Sequence, residues 1–307
     1  MTTTDDHAIS GSPTDGAPRP RKRIKQLEVM VADVIPETHD TTTLVLFAGN
    51  DALEYRAGHF LTIDPHQFAG LSRWVEYLED AKGRREPNRA YSLASSPHEK
   101  SLAITVKEER YVSGVTRYPP LLSPLLVNRL SRGTCMTITG FTGPYALPDD
   151  IEDRTEHLVH VCAGSGVVPN WSILKYALAE RPGLKHTFVY GNKTWDDVIY
   201  RDALNALAAQ HPERLRVVHT LSRHEGALPS GADVRTGRVT AELIAEALPA
   251  AADEVMVYAC GPAIGKWDRE RAKAAGEEPR PRFMETVLEA LDGIGVPRER
   301  VKRESFG

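Results

Sequence analysis

Strands that alternate with helices constrain the fold of the second half of this chain. From residue 157 onward, short runs rich in β-branched residues are separated by segments with helical periodicity. Such alternation predicts a parallel sheet covered by helices on both faces, with ligands at the carboxyl ends of its strands. The predicted strands are His157–Cys162, Lys185–Tyr190, Arg216–Thr220, Glu254–Ala259 and Val301–Ser305, and the predicted helices are Trp171–Ala179, Val198–Ala209, Ala241–Leu248 and Phe283–Leu291.

Short strands separated by turns dominate the first half, from residue 25 to residue 140. This pattern is typical of an antiparallel β-barrel. We therefore expect a disordered tail at 1–22, a barrel domain at 23–150 and an α/β domain at 151–307, with a polar linker near Pro148–Thr155. The predicted barrel strands are Leu27–Val34, Thr41–Phe47, Ala57–Asp64, Leu102–Lys107 and Thr134–Thr139.

A longer polar stretch, residues 64–88, interrupts the barrel pattern. It contains Trp74 and Tyr77, and Ser72–Leu78 could form a short helix. We interpret the stretch as an insertion that forms a surface loop rather than a site. Its position just before the next motif leaves a contribution to a site open.

Composition excludes several classes of protein. The 307 residues carry a net charge of −4 and contain no apolar run of bilayer length, so neither nucleic acid nor a membrane is indicated as a partner. The N-terminus lacks the features of a secretory signal, and we expect a cytoplasmic protein. Three widely spaced cysteines, Cys135, Cys162 and Cys260, fit neither a disulfide framework nor a zinc site, and they are too few for a resident [2Fe–2S] cluster.

The segment Arg89–Ser95, RAYSLAS, places a cation, an aromatic ring and a hydroxyl on one strand. Arg89 and Tyr91 point the same way because side chains on a strand repeat every two residues. The guanidinium suits a phosphate, and the ring could lie along a flat cofactor. Ser92 could hydrogen-bond a ring nitrogen at the strand end. An ordinary edge strand with scattered polar residues explains the segment equally well.

Two further segments have the form of phosphate sites. PLLSPLL at Pro120–Leu126 indicates a helix start with Ser123 as the N-cap and Pro124 in the first turn, which would present free N–H groups. AGSGVVP at Ala163–Pro169 is a glycine-rich turn between a strand and a helix. A plain capped helix and a tight structural turn are the alternatives.

Taken together and in order, the motifs RAYS, Lys107 with Ser123, AGSGVVP, YACGP and ESF resemble those of the ferredoxin–NAD(P) reductase superfamily. The resemblance covers residues 25–307. It implies that Arg89 meets the flavin pyrophosphate, that Tyr91 packs on the isoalloxazine and that Ser92 reaches toward flavin N5, with Ala90 between them. Further residues implied at the flavin phosphates are Lys107 and the amides of Leu122 and Ser123, although Pro120 replaces the glycine of the family motif.

The same resemblance implies a nicotinamide site in the second domain. Gly164, Ser165 and Gly166 would hold NAD(P)H, and Cys260 would lie against the nicotinamide, backed by Gly261 and Pro262. Glu304 and Phe306 would reach the hydride-transfer region and stack on the flavin. The implied catalytic residues are Ser92, Cys260, Glu304 and Phe306. Further implied contacts are Lys193, which stands where the family has arginine, and Ser222, Arg223 and Arg238, which favour the 2′-phosphate of NADPH.

The implied function is an NAD(P)H oxidoreductase that passes electrons through FAD to a separate iron–sulfur protein, either a ferredoxin or an oxygenase component. FAD rather than FMN is expected from the Ser123 site, and NADH remains an alternative donor. Two other functions stay open. One is a free-flavin reductase that treats flavin as a substrate, and the other is a non-enzymatic flavin-binding subunit.

Overall fold

The structure is a computed structural model that describes residues 25–49, 53–249 and 251–306. The predicted disordered tail at 1–22 lies outside the described residues. No helix in the part of the chain that the structure describes is long and apolar enough to cross a bilayer.

Six antiparallel strands form the first sheet. Their order is β4-β3-β6-β1-β2-β5, and a bridge between Leu93 and Ile104 joins the two edge strands, which closes the sheet into a barrel. Val31, Leu61 and Ile138 lie in the buried core of this sheet. The strands are β1 (Lys25–Thr38), β2 (Thr41–Phe47), β3 (Phe60–Ile63), β4 (Arg89–Ser92), β5 (Leu102–Lys107) and β6 (Cys135–Thr142).

Strand β1 is longer than the predicted Leu27–Val34 and continues through Pro36. It pairs with β6 only over Lys25–Met30, whereas Pro36 pairs with β2 alone. Proline is tolerated there because its missing N–H faces no second strand. Strands β2 and β5 have the predicted bounds, and β3 is shorter because Gly58 lies in a turn with φ 91°.

The insertion at residues 64–88 is a packed element rather than a surface loop. It contains helix α1 (Ser72–Lys82), four residues longer at its end than the predicted Ser72–Leu78. Val75 and Leu78 are buried against Leu121, in the segment that leads into helix α2 (Ser123–Asn128). The Trp74 indole N–H also donates to the Pro120 carbonyl over 3.4 Å. The insertion is therefore fixed to the predicted flavin-phosphate segment.

Six parallel strands form the second sheet, in the order β10-β9-β8-β7-β11-β12. The strands are β7 (His157–Ala163), β8 (Lys185–Asn192), β9 (Leu215–Leu221), β10 (Asp233–Thr236), β11 (Val255–Pro262) and β12 (Val301–Phe306). The helices are α3 (Ile151–Arg154), α4 (Val167–Glu180), α5 (Arg201–Gln210), α6 (Ala241–Ala247), α7 (Lys266–Ala275) and α8 (Phe283–Ile294).

Three elements were not predicted, and each has a weak apolar pattern. Strand β10 buries only Val234, helix α7 buries none of its residues, and α3 is a single turn within the predicted linker.

Helix α5 begins three residues later than predicted because Tyr200 adopts a left-handed backbone conformation, with φ 58°. That conformation is costly for a residue with a Cβ and cannot continue a helix.

Reciprocal hydrogen bonds join the two domains. The Ser96 hydroxyl donates to the Ser172 carbonyl over 2.7 Å, and the Ser172 hydroxyl donates to the Ser95 carbonyl over 2.6 Å. All three residues are buried. This contact connects the segment after β4 to helix α4, which follows the carboxyl end of β7.

Candidate active site

Ser92 and Glu304 meet at the boundary between the two sheets. Ser92 is the last residue of β4, and Glu304 lies on β12, 212 residues away in sequence. The Ser92 hydroxyl donates to Glu304 Oε2 over 3.4 Å. The structure therefore brings together two side chains that only the family resemblance had connected.

Cys260 completes this group. It is the direct partner of Glu304 in the register between the parallel strands β11 and β12. Burial raises the pKa of its thiol well above the usual value, and the Glu304 carboxyl adds to the shift. A neutral buried thiol is neither a nucleophile nor a metal ligand. Cys260 is fully buried. We refer to these three residues as the Ser92–Cys260–Glu304 cluster.

Burial also sets the ionisation of Glu304. It raises the pKa of the carboxyl to about 7, although the hydrogen bond from Ser92 acts in the opposite direction. The group therefore changes its proton occupancy close to neutral pH. Such a shift of a carboxyl pKa, set by burial, is typical of functional carboxyls.

Phe306 ends β12 beside this cluster. It pairs in register with Pro262 and packs, half-buried, on the apolar cluster that contains Cys260 and Tyr145. Among the three residues of the Ser92–Cys260–Glu304 cluster, it is Cys260 whose apolar surroundings include Phe306. Gly307 lies outside the described residues.

Strand β4 carries three of the residues predicted to contact a flavin. Tyr91 is half-buried and packs on the barrel core, and burial raises the pKa of its hydroxyl. Ala90 is exposed. The Arg89 guanidinium is held on one side by the Glu86 carboxylate and by the Pro87 carbonyl, the latter over 2.5 Å.

The side chains of two residues predicted at the flavin phosphates, Lys107 and Ser123, have partners within the protein. The Lys107 ammonium donates to Asp40 Oδ1 over 2.6 Å. The Ser123 hydroxyl accepts the Glu109 N–H over 3.0 Å and does not cap α2. The predicted N-cap is therefore wrong, because the hydroxyl is buried and turned toward the preceding loop. Pro124 does lie in the first turn.

The glycine-rich turn packs directly on the YACGP strand. Residues 164–166 form a 3₁₀ turn in which Gly164 has φ 53°. A Cβ on Gly166 would lie 2.1 Å from the Cys260 carbonyl oxygen, and one on Gly261 would lie 2.4 Å from the Phe283 ring. Both glycines therefore have a packing role, which accounts for part of the motif. The close approach also places the turn beside the Ser92–Cys260–Glu304 cluster.

The predicted nucleotide-phosphate residues lie at the ends of β8, β9 and β10. The Ser222 hydroxyl donates to the Asn192 carbonyl over 3.2 Å, and the Arg223 N–H donates to the Lys193 carbonyl over 2.8 Å. Arg223 and Arg238 are exposed, and neither forms an ion pair with any described residue. Both guanidinium groups are therefore available to an anion.

The donor set fits a flavin and a pyridine nucleotide. Arg89, Arg223 and Arg238 can each donate to phosphate, Tyr91 offers a ring, and the turn that contains Gly166 has no side chain to block a close approach. Sequence analysis did not identify Glu86 as a partner of Arg89. The only sign of this contact in the sequence is that Glu86 carries a carboxylate three residues before Arg89.

Comparison with known proteins agrees with this architecture. The family model described as "Oxidoreductase NAD-binding domain" matches residues 160–264. The ferredoxin reductase component of 3-ketosteroid-9-alpha-monooxygenase from Rhodococcus rhodochrous is 32% identical over 284 residues, covering 90% of this chain and 64% of that protein. The corresponding protein from Mycolicibacterium smegmatis is 31% identical, covering 91% and 65%. The chain thus spans slightly less than two thirds of these relatives.

Solved structures show the same fold. The FAD/NAD-binding domain of nitric oxide dioxygenase from Vibrio cholerae superposes with a TM-score of 0.66 at 23% identity, covering 92% of this chain and 98% of that one. The ferredoxin reductase in carbazole 1,9a-dioxygenase has a TM-score of 0.65 at 21% identity, covering 94% and 71%. At these identities the likeness concerns the fold alone.

An antiparallel barrel joined to a parallel NAD-binding sheet, with its candidate site between them, defines a two-domain reductase architecture. The predicted fold class is confirmed. The chain belongs to the ferredoxin reductase family, as its motifs indicated.

Proposed function

We propose that this protein is an oxidoreductase that transfers electrons from NAD(P)H through FAD to a separate iron–sulfur protein. The observation that carries the proposal is the Ser92–Cys260–Glu304 cluster, which joins the end of the flavin-side strand to the carboxyl ends of β11 and β12. A hydride donor and acceptor must be held about 3–3.5 Å apart, and the boundary between the two sheets is where both could be held. The relatives named as ferredoxin reductase components support this reading.

Bound FAD would accept hydride and release electrons singly, which is chemistry that the cofactor itself supplies. The chain's residues provide position and charge. Arg89 would hold a flavin phosphate, and Tyr91 would support the ring. Ser92 and Glu304 would hold a proton at the carboxyl oxygen, while Cys260 and Phe306 would exclude water from the same point.

NADPH is the proposed donor, with NADH as the alternative. Arg223 and Arg238 are exposed cations at the ends of neighbouring strands, which is where a 2′-phosphate would be recognised. The proposed acceptor is a [2Fe–2S] ferredoxin or an oxygenase component. Three cysteines, of which Cys162 and Cys260 are buried, do not supply the four thiolates of a plant-type cluster within this sequence.

One observation favours a second function, the reduction of free flavin. Lys107 is already paired with Asp40, and Pro120, which replaces the glycine of the family motif, has no N–H to donate, so this part of the site offers a flavin phosphate less than the family motif would. Weak binding would let flavin act as a substrate. The glycine turn packed on Cys260 and the matched NAD-binding domain argue against a subunit that binds no nucleotide.

The acceptor is tested by a reconstituted assay. Purified protein with FAD is supplied with NADPH or NADH, and cytochrome c reduction is followed with and without a [2Fe–2S] ferredoxin. The proposal predicts a rate that depends on the ferredoxin. A rate that depends on added free flavin and is unchanged by ferredoxin would support the second function instead.

A further inference from the structure

The insertion before β4 ends in a buried carboxylate that touches two cations. The Glu86 side chain is only 1% exposed. Lys82 Nζ contacts Glu86 Oε1 over 2.6 Å, and the Arg89 guanidinium contacts Glu86 Oε2. Burial raises the pKa of Glu86, but the two hydrogen bonds outweigh it and the net shift is downward, so the carboxylate is charged. One anion between two cations leaves the group with a net charge of +1.

The position of Glu86 is fixed by the insertion. Its backbone N–H donates to Glu79 Oε1 over 2.8 Å, and Glu79 lies on helix α1. That helix is anchored by Val75 and Leu78, which are buried against Leu121. The carboxylate is therefore held by packed structure and not by a flexible loop.

Arg89 keeps guanidinium donors that no described residue engages. A guanidinium has five N–H groups in a rigid plane. The described contacts of Arg89 are one to the Glu86 carboxylate and one to the Pro87 carbonyl. Three donors remain, and 31% of the side chain is exposed. An anchored guanidinium with spare coplanar donors can bind a phosphate in the bidentate manner without first losing rotamer entropy.

We infer that Glu86 is a positioning residue that holds Arg89 in place for a flavin phosphate, so that the insertion at residues 64–88 supports the flavin site. This inference rests on the proposed function. Two physical effects of removing the Glu86 charge oppose each other. Loss of a nearby anion would strengthen phosphate binding through the field, whereas loss of the anchor would weaken it. Weaker flavin binding after removal of the charge therefore indicates that Glu86 positions Arg89, whereas tighter binding indicates that Glu86 acts only as a counter-charge.

The test compares flavins with and without phosphate. Full-length protein stripped of flavin is titrated with FAD, FMN and riboflavin, using quenching of flavin fluorescence. Glu86→Gln should weaken FAD and FMN about tenfold, the scale on which supporting contacts act on ligand affinity, and leave riboflavin unchanged. Glu76→Gln, which changes an exposed carboxylate on helix α1 of the same insertion, is the matched control and should bind all three flavins as the unmodified protein does.

Two more variants keep the test decisive. Glu86→Asp retains the charge and the fold but shortens the anchor, so it should weaken FAD less than Glu86→Gln does. In an Arg89→Ala background, Glu86→Gln should have no further effect, because its action passes through Arg89. Unchanged or tighter FAD binding by Glu86→Gln, or equal losses for riboflavin, would overturn the inference. Failure of the unmodified protein to bind any flavin would instead contradict the proposed function.

Discussion

Glu304 is a carboxyl group whose surroundings favour its neutral form. Burial at the boundary between the sheets raises its pKa to about 7, and Ser92 only partly offsets this effect. A group that titrates at neutral pH beside the proposed hydride-transfer point can hold a proton or a negative charge there. The titration of Glu304 is therefore expected to appear in the pH dependence of the rate of flavin reduction.

The rate of flavin reduction should fall as pH rises through about 7. Loss of the proton places a carboxylate beside the group that takes up hydride, and like charge disfavours that step. Glu304→Gln should remove this transition between pH 5.5 and 8.5 (roughly 1.5 units either side of the pKa), as measured by stopped-flow absorbance. Glu299→Gln, an exposed carboxylate just before β12, should retain it. A transition that persists in Glu304→Gln would assign it to another group.

Phe306→Ala should alter nicotinamide affinity and the hydride-transfer rate without unfolding the protein. The ring is half-buried at a strand end and packs on the apolar cluster that contains Cys260, so its removal exposes little core while it changes the surroundings of the proposed hydride-transfer point. Stopped-flow reduction at several NADPH concentrations separates affinity from rate, and a thermal melt checks the fold. Ser305→Ala, an exposed neighbour, is the control. Unchanged reduction kinetics would exclude this role for Phe306.

Among the elements, the turn at residues 164–166 shows how packing and binding share one motif. Gly166 lies against the backbone of Cys260 so closely that even a methyl group cannot fit. The turn thereby fixes the distance between the start of α4 and the end of β11. Any nucleotide held by this turn would have its position set relative to the Ser92–Cys260–Glu304 cluster.

Gly166→Ala should lower the melting temperature and impair reduction by pyridine nucleotide. Its Cβ would lie 2.1 Å from the Cys260 carbonyl oxygen, so the turn or β11 must move. Overpacking of this kind costs about 1–3 kcal/mol. Flavin binding should persist because β4 lies in the other domain. Gly293→Ala, where the Cβ meets no atom within 4 Å, should leave both properties intact. Equal behaviour of the two variants would contradict the packing argument.

Elements with strong apolar patterns could be predicted from sequence, and those without could not. Strands β2 and β5 were predicted to the residue because their β-branched runs are bounded by turns. Helix α7 and strand β10 were missed because they bury almost nothing. The Ser123 cap was misassigned because the competing partner, the Glu109 N–H, comes from a loop whose path the sequence does not specify.

At the scale of the whole molecule, residues far apart in sequence meet only through the topology. The contact between Ser92 and Glu304 could be expected only from the family resemblance, because no local sequence pattern links the two residues. The role of Glu86 depends on the fold of the insertion, which polar composition does not reveal. Buried histidines are a further global feature. His160 lies between Asn170 and His186 inside the second domain.

Stability should decline as pH falls from about 6.5 to 4. Burial lowers the pKa of His157, His160 and His219 to about 4, below the value of 6.5 expected when unfolded. Below pH 6.5 the unfolded chain therefore binds protons that the folded chain cannot, which favours unfolding. For His160, fully buried, the effect reaches about 3 kcal/mol at acidic pH.

Glu304 acts in the opposite direction over part of this range, because its raised pKa favours the folded state as pH falls below about 7. The three histidines together lower the stability more than the single carboxyl raises it, so the free energy of unfolding should still fall as the pH falls. Thermal melts of the full chain from pH 8 to pH 4 (a window that brackets the histidine pKa values) measure the balance. A melting temperature that stays constant or rises over pH 6.5 to 4 would contradict the neutral buried state of these histidines.

An anaerobic titration of the purified, flavin-loaded protein with NADPH, and separately with NADH, tests the central claim most directly. The flavin absorption band reports the outcome. The account predicts bleaching at one equivalent, with NADPH the better reductant because Arg223 and Arg238 are free to bind its extra phosphate. A yellow protein that neither nucleotide reduces would contradict the account, since it would show that the flavin and nucleotide sites do not work together.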